Sequence, residues 1–165
     1  MINAIAPTTE KTKITTNEQP TRICFVCTGN TCRSPMAEKA LNKLGGGKYI
    51  AESAGIMADK GAPMTPNAVN ALKKAGIVGK DENADHVARQ INSGIIESCD
   101  TVVAVGAGHA MMLLQAFPHH ASKITSFDCP IPDPYGKDAA AYDECLSNII
   151  KCIKNMFVLP EIQDE

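Results

Sequence analysis

Residues 27–33 read Cys-Thr-Gly-Asn-Thr-Cys-Arg, with Ser34 and Pro35 next in line. A cysteine and an arginine at this spacing can attack and clamp one and the same group. Arginine is scarce in this chain, with Arg22, Arg33 and Arg89 set against 13 lysines, so a motif built on one arginine carries information. The guanidinium of Arg33 offers a planar fork to two phosphate oxygens, which the point charge of a lysine does not match. Backbone N–H groups converging ahead of a helix bind an oxyanion, and the same field stabilises a thiolate. Ser34 can donate a hydrogen bond to that thiolate and make it a better leaving group. A phosphate-shaped cradle over a nucleophilic sulfur implies covalent phosphoryl transfer, with Cys27 as the nucleophile. The leaving group then needs an acid. Asp133, within Pro132-Asp-Pro-Tyr-Gly136, is placed for that role in a loop after the last expected strand.

These residues need elements to hold them. Residues 23–26, Ile-Cys-Phe-Val, read as a short buried strand. Ser34 is a favoured N-cap and Pro35 a favoured first helical residue, and Met36, Ala37, Ala40, Leu41 and Leu44 then share one face until Gly45. Residues 49–53 read as a second strand closed by Ala54 and Gly55, and Thr65-Pro66 repeats the cap signal for a helix ending at Gly76. Residues 80–90 are polar and read as a loop, 92–98 as a short helix, and 101–105 as the clearest buried strand. A helix over 108–117, a strand over 124–127, a Pro-rich loop over 129–137 and a last helix over 138–156 complete the chain. Strands alternating with helices imply an α/β domain, its parallel sheet covered on both faces. Residues 1–21 hold six threonines and little to bury, and are expected to be a flexible extension; 22–165 are expected to form one domain.

Composition narrows the class. With 165 residues, 44% hydrophobic and 21% charged, the chain is an ordinary globular domain. A net charge of −2 argues against binding nucleic acid or an anionic membrane by bulk electrostatics. No apolar run approaches the ~20 residues of a spanning helix, and no apolar signal core opens the sequence. Seven cysteines, an odd number, read as mostly reduced thiols in a cytoplasmic protein.

Taken together, residues 27–35, the Ser53-Ala-Gly55 turn and Asp133-Pro-Tyr-Gly resemble the low-molecular-weight protein tyrosine phosphatase family over about residues 22–157. The resemblance implies a three-layer fold with a four-stranded parallel sheet in flavodoxin-like order 2-1-3-4. It implies Cys27 as nucleophile, Arg33 as phosphate clamp and Asp133 as acid, then base. Thr28, Gly29, Asn30, Thr31, Cys32, Arg33 and Ser34 would form the phosphate cradle, Asn30 holding its shape, and Tyr135 would flank the substrate. No metal or cofactor is implied; the partners would be phosphorylated proteins, not nucleic acid or membrane, and a monomer is expected. Thr31 stands where tyrosine-directed members usually carry an aliphatic residue, and resembles the bacterial protein arginine phosphatases. A hydroxyl of lesser bulk suits a polar guanidinium better than a flat phenyl ring. Tyr135 is followed by Gly136, not by a second aromatic. Phosphoarginine is therefore the expected substrate, with phosphotyrosine as the alternative. Gly106-Ala-Gly108 departs from the polar residues common after the third strand of the family.

Other groups have simpler readings. Cys24 and Cys27 form C-x-x-C, but residues three apart on a strand face opposite ways, which disfavours a metal pair. Cys32 could pair with Cys27 under oxidation and protect it. Cys145 and Cys152 are expected to pack, Cys99 and Cys129 have no evident role, and His109, His119 and His120 are expected at the surface. A thiol-dependent arsenate reductase would use the same loop but needs two further adjacent cysteines. A non-catalytic phosphoprotein-binding module would have no need of Cys27, Arg33, Ser34 and Asp133 together.

Overall fold

The computed structural model describes residues 19–82 and 84–161, so the expected extension lies almost wholly outside the described residues. Four strands, β1 (Thr21–Cys27), β2 (Tyr49–Gly55), β3 (Thr101–Ala104) and β4 (Ile124–Ser126), form one sheet in the order β2-β1-β3-β4. Every pairing is parallel. The helices are α1 (Arg33–Leu44), α2 (Pro66–Lys74), α3 (Ser93–Ser98), α4 (Ala107–Ala116) and α5 (Ala139–Met156), with a 3-10 turn at Pro118–Lys123.

The two-residue period of β1 divides the core. Ile23, Phe25 and Cys27 face α1, α2 and α5, where they meet Met36, Leu41, Leu72 and Ile149. Cys24 and Val26 face the other way, onto Ile96, Val102 and Leu113 beneath α3 and α4. On the first side Phe25 lies against Phe127 at 5.7 Å and edge-on to Phe157 at 6.2 Å between ring centroids. These contacts hold β1 between the exit of β4 and the end of α5. In a parallel sheet all strands end at one edge, and that edge is where β1 delivers Cys27 beside Gly55 of β2.

Helix starts differ in how the sequence signals are used. Asn92 and Asp138 cap α3 and α5, accepting from the N–H of Ile95 and Ala141. Thr65 precedes Pro66 of α2, but its hydroxyl makes no cap and reaches the carbonyl of Thr31 at 3.4 Å. Ser34 is not the N-cap of α1. The helix starts at Arg33, with Cys32 in the cap position and no side-chain cap, and Ser34 turns inward to Cys27. Its hydroxyl is claimed by the sulfur, and the first turn of α1 is left facing the loop.

Five of the seven cysteines are free, in keeping with a reading of mostly reduced thiols, and two are paired. Cys129 and Cys152 are joined by a disulfide, because the segment leaving β4 passes α5 with the two Cα atoms 6.4 Å apart, within bridging range. Cys24, Cys27, Cys32, Cys99 and Cys145 are free. No helix among the described residues is long and apolar enough to cross a membrane.

Candidate active site

The turn from β1 into α1 forms the wall of a cavity of about 420 Å³. Residues 27–33 all line it, joined by Met57, Asp59, Ala62 and Thr65 from the far side and by Asp133 and Tyr135 from the loop after β4. Cys27 is buried at the end of β1, with its Sγ 2.9 Å from Ser34 Oγ. The amino end of α1 faces the same space, so its unpaired N–H groups and dipole favour negative charge there.

Asn30 shapes the loop. It is the one described non-glycine residue with positive φ, at 58°, and it is fully buried. Asparagine adopts this left-handed conformation more readily than most residues. Every polar group of its side chain is used. Its Nδ2 donates to Ser34 Oγ at 2.9 Å and to Ser53 Oγ at 3.0 Å, and its Oδ1 accepts from the N–H of Arg89 at 3.0 Å. His86 Nε2 donates to its carbonyl at 2.7 Å. The Ser53 hydroxyl in turn donates to Glu38 Oε2 at 3.3 Å. Since Asn30 already donates to Ser34 Oγ, the Ser34 proton can go to Cys27 Sγ at 2.9 Å, the other acceptor in reach being the Ala54 carbonyl at 3.5 Å. Gly55 is required at the neighbouring strand end, where an added Cβ would stand 2.6 Å from the carbonyl of Thr28.

The polar segment 80–90 is therefore no idle loop. Arg89 binds the carbonyl of Ser53 and the carboxylate of Glu52, and its own carbonyl accepts from Gly55 N–H. Together with His86 it braces the cradle from behind. Neither residue stands out in the sequence, since nothing local to 86 or 89 points to a loop more than fifty residues upstream.

Arg33 has its side chain almost buried, with Nη2 3.3 Å from Oδ2 of the half-exposed Asp133. Asp133 Oδ1 also accepts from the N–H of Tyr135, fixing the turn. Tyr135 is 71% exposed at the cavity mouth. Thr31 lines the wall, and its carbonyl accepts from Thr65 N–H at 3.0 Å. Cys32 turns away from the mouth, its Sγ 3.4 Å from Thr65 Oγ1 and 3.6 Å from the hydroxyl of Tyr142. Burial pushes the Tyr142 hydroxyl and the Cys145 thiol up to about 12, so both stay protonated beside it.

His109 is not simply at the surface. It is half-buried at the start of α4, with Nε2 2.9 Å from Thr28 Oγ1. Burial first, then the Arg33 guanidinium, hold its imidazole below the usual histidine range. The described residues that approach metal-ligand spacing are Cys24, Glu52 and Cys99, on the opposite face of β1 from Cys27. There Glu52 is already engaged by Arg89 and by Cys99 at 2.7 Å.

Known proteins place this geometry. Residues 22–165 match the family model described as low molecular weight phosphotyrosine protein phosphatase. A protein-arginine-phosphatase of Geobacillus stearothermophilus is 37% identical over 131 residues, 74% of this chain and 84% of its own. An arsenate reductase of Brevibacillus brevis is 37% identical over 122 residues, 73% of this chain and 82% of its own. Among solved structures, a mutant of the arginine phosphatase YwlE with a phosphorylated active-site serine superposes with a TM-score of 0.73 at 27% identity, covering 82% of this chain and 92% of that one. The chain belongs to the low molecular weight phosphotyrosine protein phosphatase family and is a cysteine-dependent phosphatase.

Proposed function

We propose that this phosphatase removes phosphoryl groups from arginine side chains of proteins, through a phosphocysteine at Cys27. One observation carries the reading: Cys27, Arg33 and Asp133 line a single cavity at the end of β1, with the Ser34 hydroxyl behind it 2.9 Å from Cys27 Sγ. Arg33 binds two phosphoryl oxygens, and in doing so exchanges its Asp133 partner for the incoming dianion. The thiolate of Cys27 attacks phosphorus in line as the P–N bond breaks. The electron pair goes to the departing nitrogen, which takes the proton of Asp133. In the second step the Asp133 carboxylate removes a proton from water as that water attacks phosphorus. The S–P bond breaks, and inorganic phosphate and the thiolate are regenerated. The Ser34 proton, aimed at Sγ by Asn30, stabilises sulfur as it leaves. Backbone groups of Thr28, Gly29, Asn30, Thr31, Cys32 and Arg33 cradle the phosphoryl oxygens throughout.

Thr31 supports arginine over tyrosine as the leaving group. It puts a short polar side chain on the cavity wall, where a guanidinium can hydrogen-bond and a phenyl ring gains little. Arsenate reduction is the less favoured reading. A relay needs two further thiols in turn: Cys32 shares the loop but turns from the mouth, Cys145 is held protonated by burial, Cys99 packs in the opposite core layer and Cys129 is bonded to Cys152. The expected setting is a cytoplasmic monomer acting on phosphorylated proteins, with residues 22–165 as the phosphatase domain. The test compares kcat/KM for phosphoarginine and phosphotyrosine peptides in the wild type and in Thr31→Ile. Preference for phosphoarginine, shifting several-fold towards phosphotyrosine in the variant, supports the reading. An unchanged ratio removes Thr31 as its basis, and a wild-type preference for phosphotyrosine replaces it.

A further inference from the structure

His109 contributes to none of the steps above, yet three features set it against the phosphate cradle. Its Nε2 lies 2.9 Å from Thr28 Oγ1, on the residue that directly follows Cys27. Its Nδ1 is buried and has no hydrogen-bond partner among the described residues. That nitrogen lies over Gly106, where an added methyl carbon would stand 3.5 Å from it. The small residues Gly106, Ala107 and Gly108 open α4 and leave room for the ring to fold back onto its own first turn.

These features select one tautomer. A proton on Nδ1 would be an orphaned buried donor at the positive end of α4, whereas a lone pair there faces a favourable field. The charged groups that reach the ring are Arg33 and Asp133, and the Arg33 guanidinium adds to burial in opposing a second proton. The ring is thus neutral, with its single proton on Nε2, and Nε2–H donates to Thr28 Oγ1. A hydroxyl that accepts from behind has its own proton free to turn elsewhere. Thr28 is exposed and lines the cavity, so that proton can meet a phosphoryl oxygen.

We propose that His109 is a positioning residue of the phosphate cradle, donating from Nε2 to Thr28 Oγ1 and so directing the Thr28 hydroxyl proton at the phosphoryl group. The device parallels the one on the buried side, where Asn30 donates to Ser34 Oγ and frees the Ser34 proton for sulfur. The inference rests on the cavity being the phosphoryl site and not on which leaving group enters it. The probe is therefore para-nitrophenyl phosphate, which any reading of the phosphatase accepts.

The experiment is a double-mutant cycle in kcat/KM, with His109→Ala, Thr28→Val and their combination, each checked for an unaltered melting transition. One hydrogen bond to a charged group corresponds to a loss of about tenfold for each single variant. Because His109 acts through Thr28, the double variant should be no worse than Thr28→Val alone. His109→Gln, which keeps an amide donor, should recover most of the loss. Independent, multiplying losses overturn the proposal, as does full activity in either single variant or failure of Gln to do better than Ala. Should His109→Ala not fold, His109→Leu, which fills the space without a donor, closes the same cycle. A wild type inactive on this probe would instead overturn the phosphoryl-site reading, and the inference with it.

Discussion

The floor and the rim of the cavity are built by opposite rules. On the floor, Cys27, Asn30, Ser34 and Ser53 are all buried, and Asn30 alone ties together α1, β2 and the segment carrying His86 and Arg89. At the rim, Tyr135 is 71% exposed, Met57 is 70% exposed, and Asp133 is held by one backbone hydrogen bond and its ion pair with Arg33. A floor in which each donor and acceptor is matched sets the geometry of the reacting sulfur and allows little change. A solvated rim can vary residue by residue and so decide which leaving group fits. On the proposed mechanism the nucleophile belongs to the first region, and the groups that meet the leaving group, Asp133 among them, belong to the second.

Substitutions on the two sides should therefore differ in kind and size. The largest effect is expected at the sulfur: Cys27→Ser should lose all measurable turnover while still binding inorganic phosphate, since the cradle of N–H groups is intact. Turnover comparable to wild type would remove the nucleophile from the floor. Next comes Asn30→Ala, which strands the partners of three side-chain hydrogen bonds and places a methyl-bearing residue at φ 58°. Urea unfolding should show a loss of about 3 kcal/mol or more, together with impaired turnover. A loss below about 1 kcal/mol would mean that the floor is not the braced unit described. The Thr31→Ile exchange at the rim should leave stability unchanged and alter only the substrate ratio.

The smallest effect concerns pH. An unfolded histidine takes a proton near pH 6.5, whereas folded His109 resists it because of burial and Arg33. The unfolded state thus binds more protons once the pH falls below that value. The stability this residue permits is complete above it and is lost as the pH falls towards the lower value of the folded protein. The melting temperature of wild type should drop relative to His109→Gln between about pH 8 and about pH 5. An unchanged difference would show that the ring protonates freely at the rim.

Much of the floor was legible in the sequence because its signals are local. Strand formers lead into 27–33, a proline opens the helix, and Asp133 sits in a turn that strand order carries to the same edge. The alternation of strands and helices likewise yields the parallel sheet, and the family resemblance supplies its observed order. What escaped reading is non-local. His86 and Arg89 come from a polar stretch with no periodicity, and they reach Asn30 only because that stretch folds along the edge of β2. His109 looks like any surface histidine until α4 is set beside the cradle. The pairing of Cys129 with Cys152 depends on where the segment after β4 meets α5, which spacing alone does not disclose. Ser34 misled as a cap because its type suits both a helix start and a thiolate partner, and only the fold shows which use prevails.

The central claim is that Cys27 carries the phosphoryl group between the two steps. Asp133→Ala should form that species normally from para-nitrophenyl phosphate, whose leaving group needs little help from an acid. Without the base that activates water, the species should then break down slowly. Rapid quenching of this variant followed by peptide mass spectrometry should find phosphate on the peptide bearing Cys27, reaching nearly one equivalent. Phosphate on a different residue, or none on the protein while product is still released, would contradict the account.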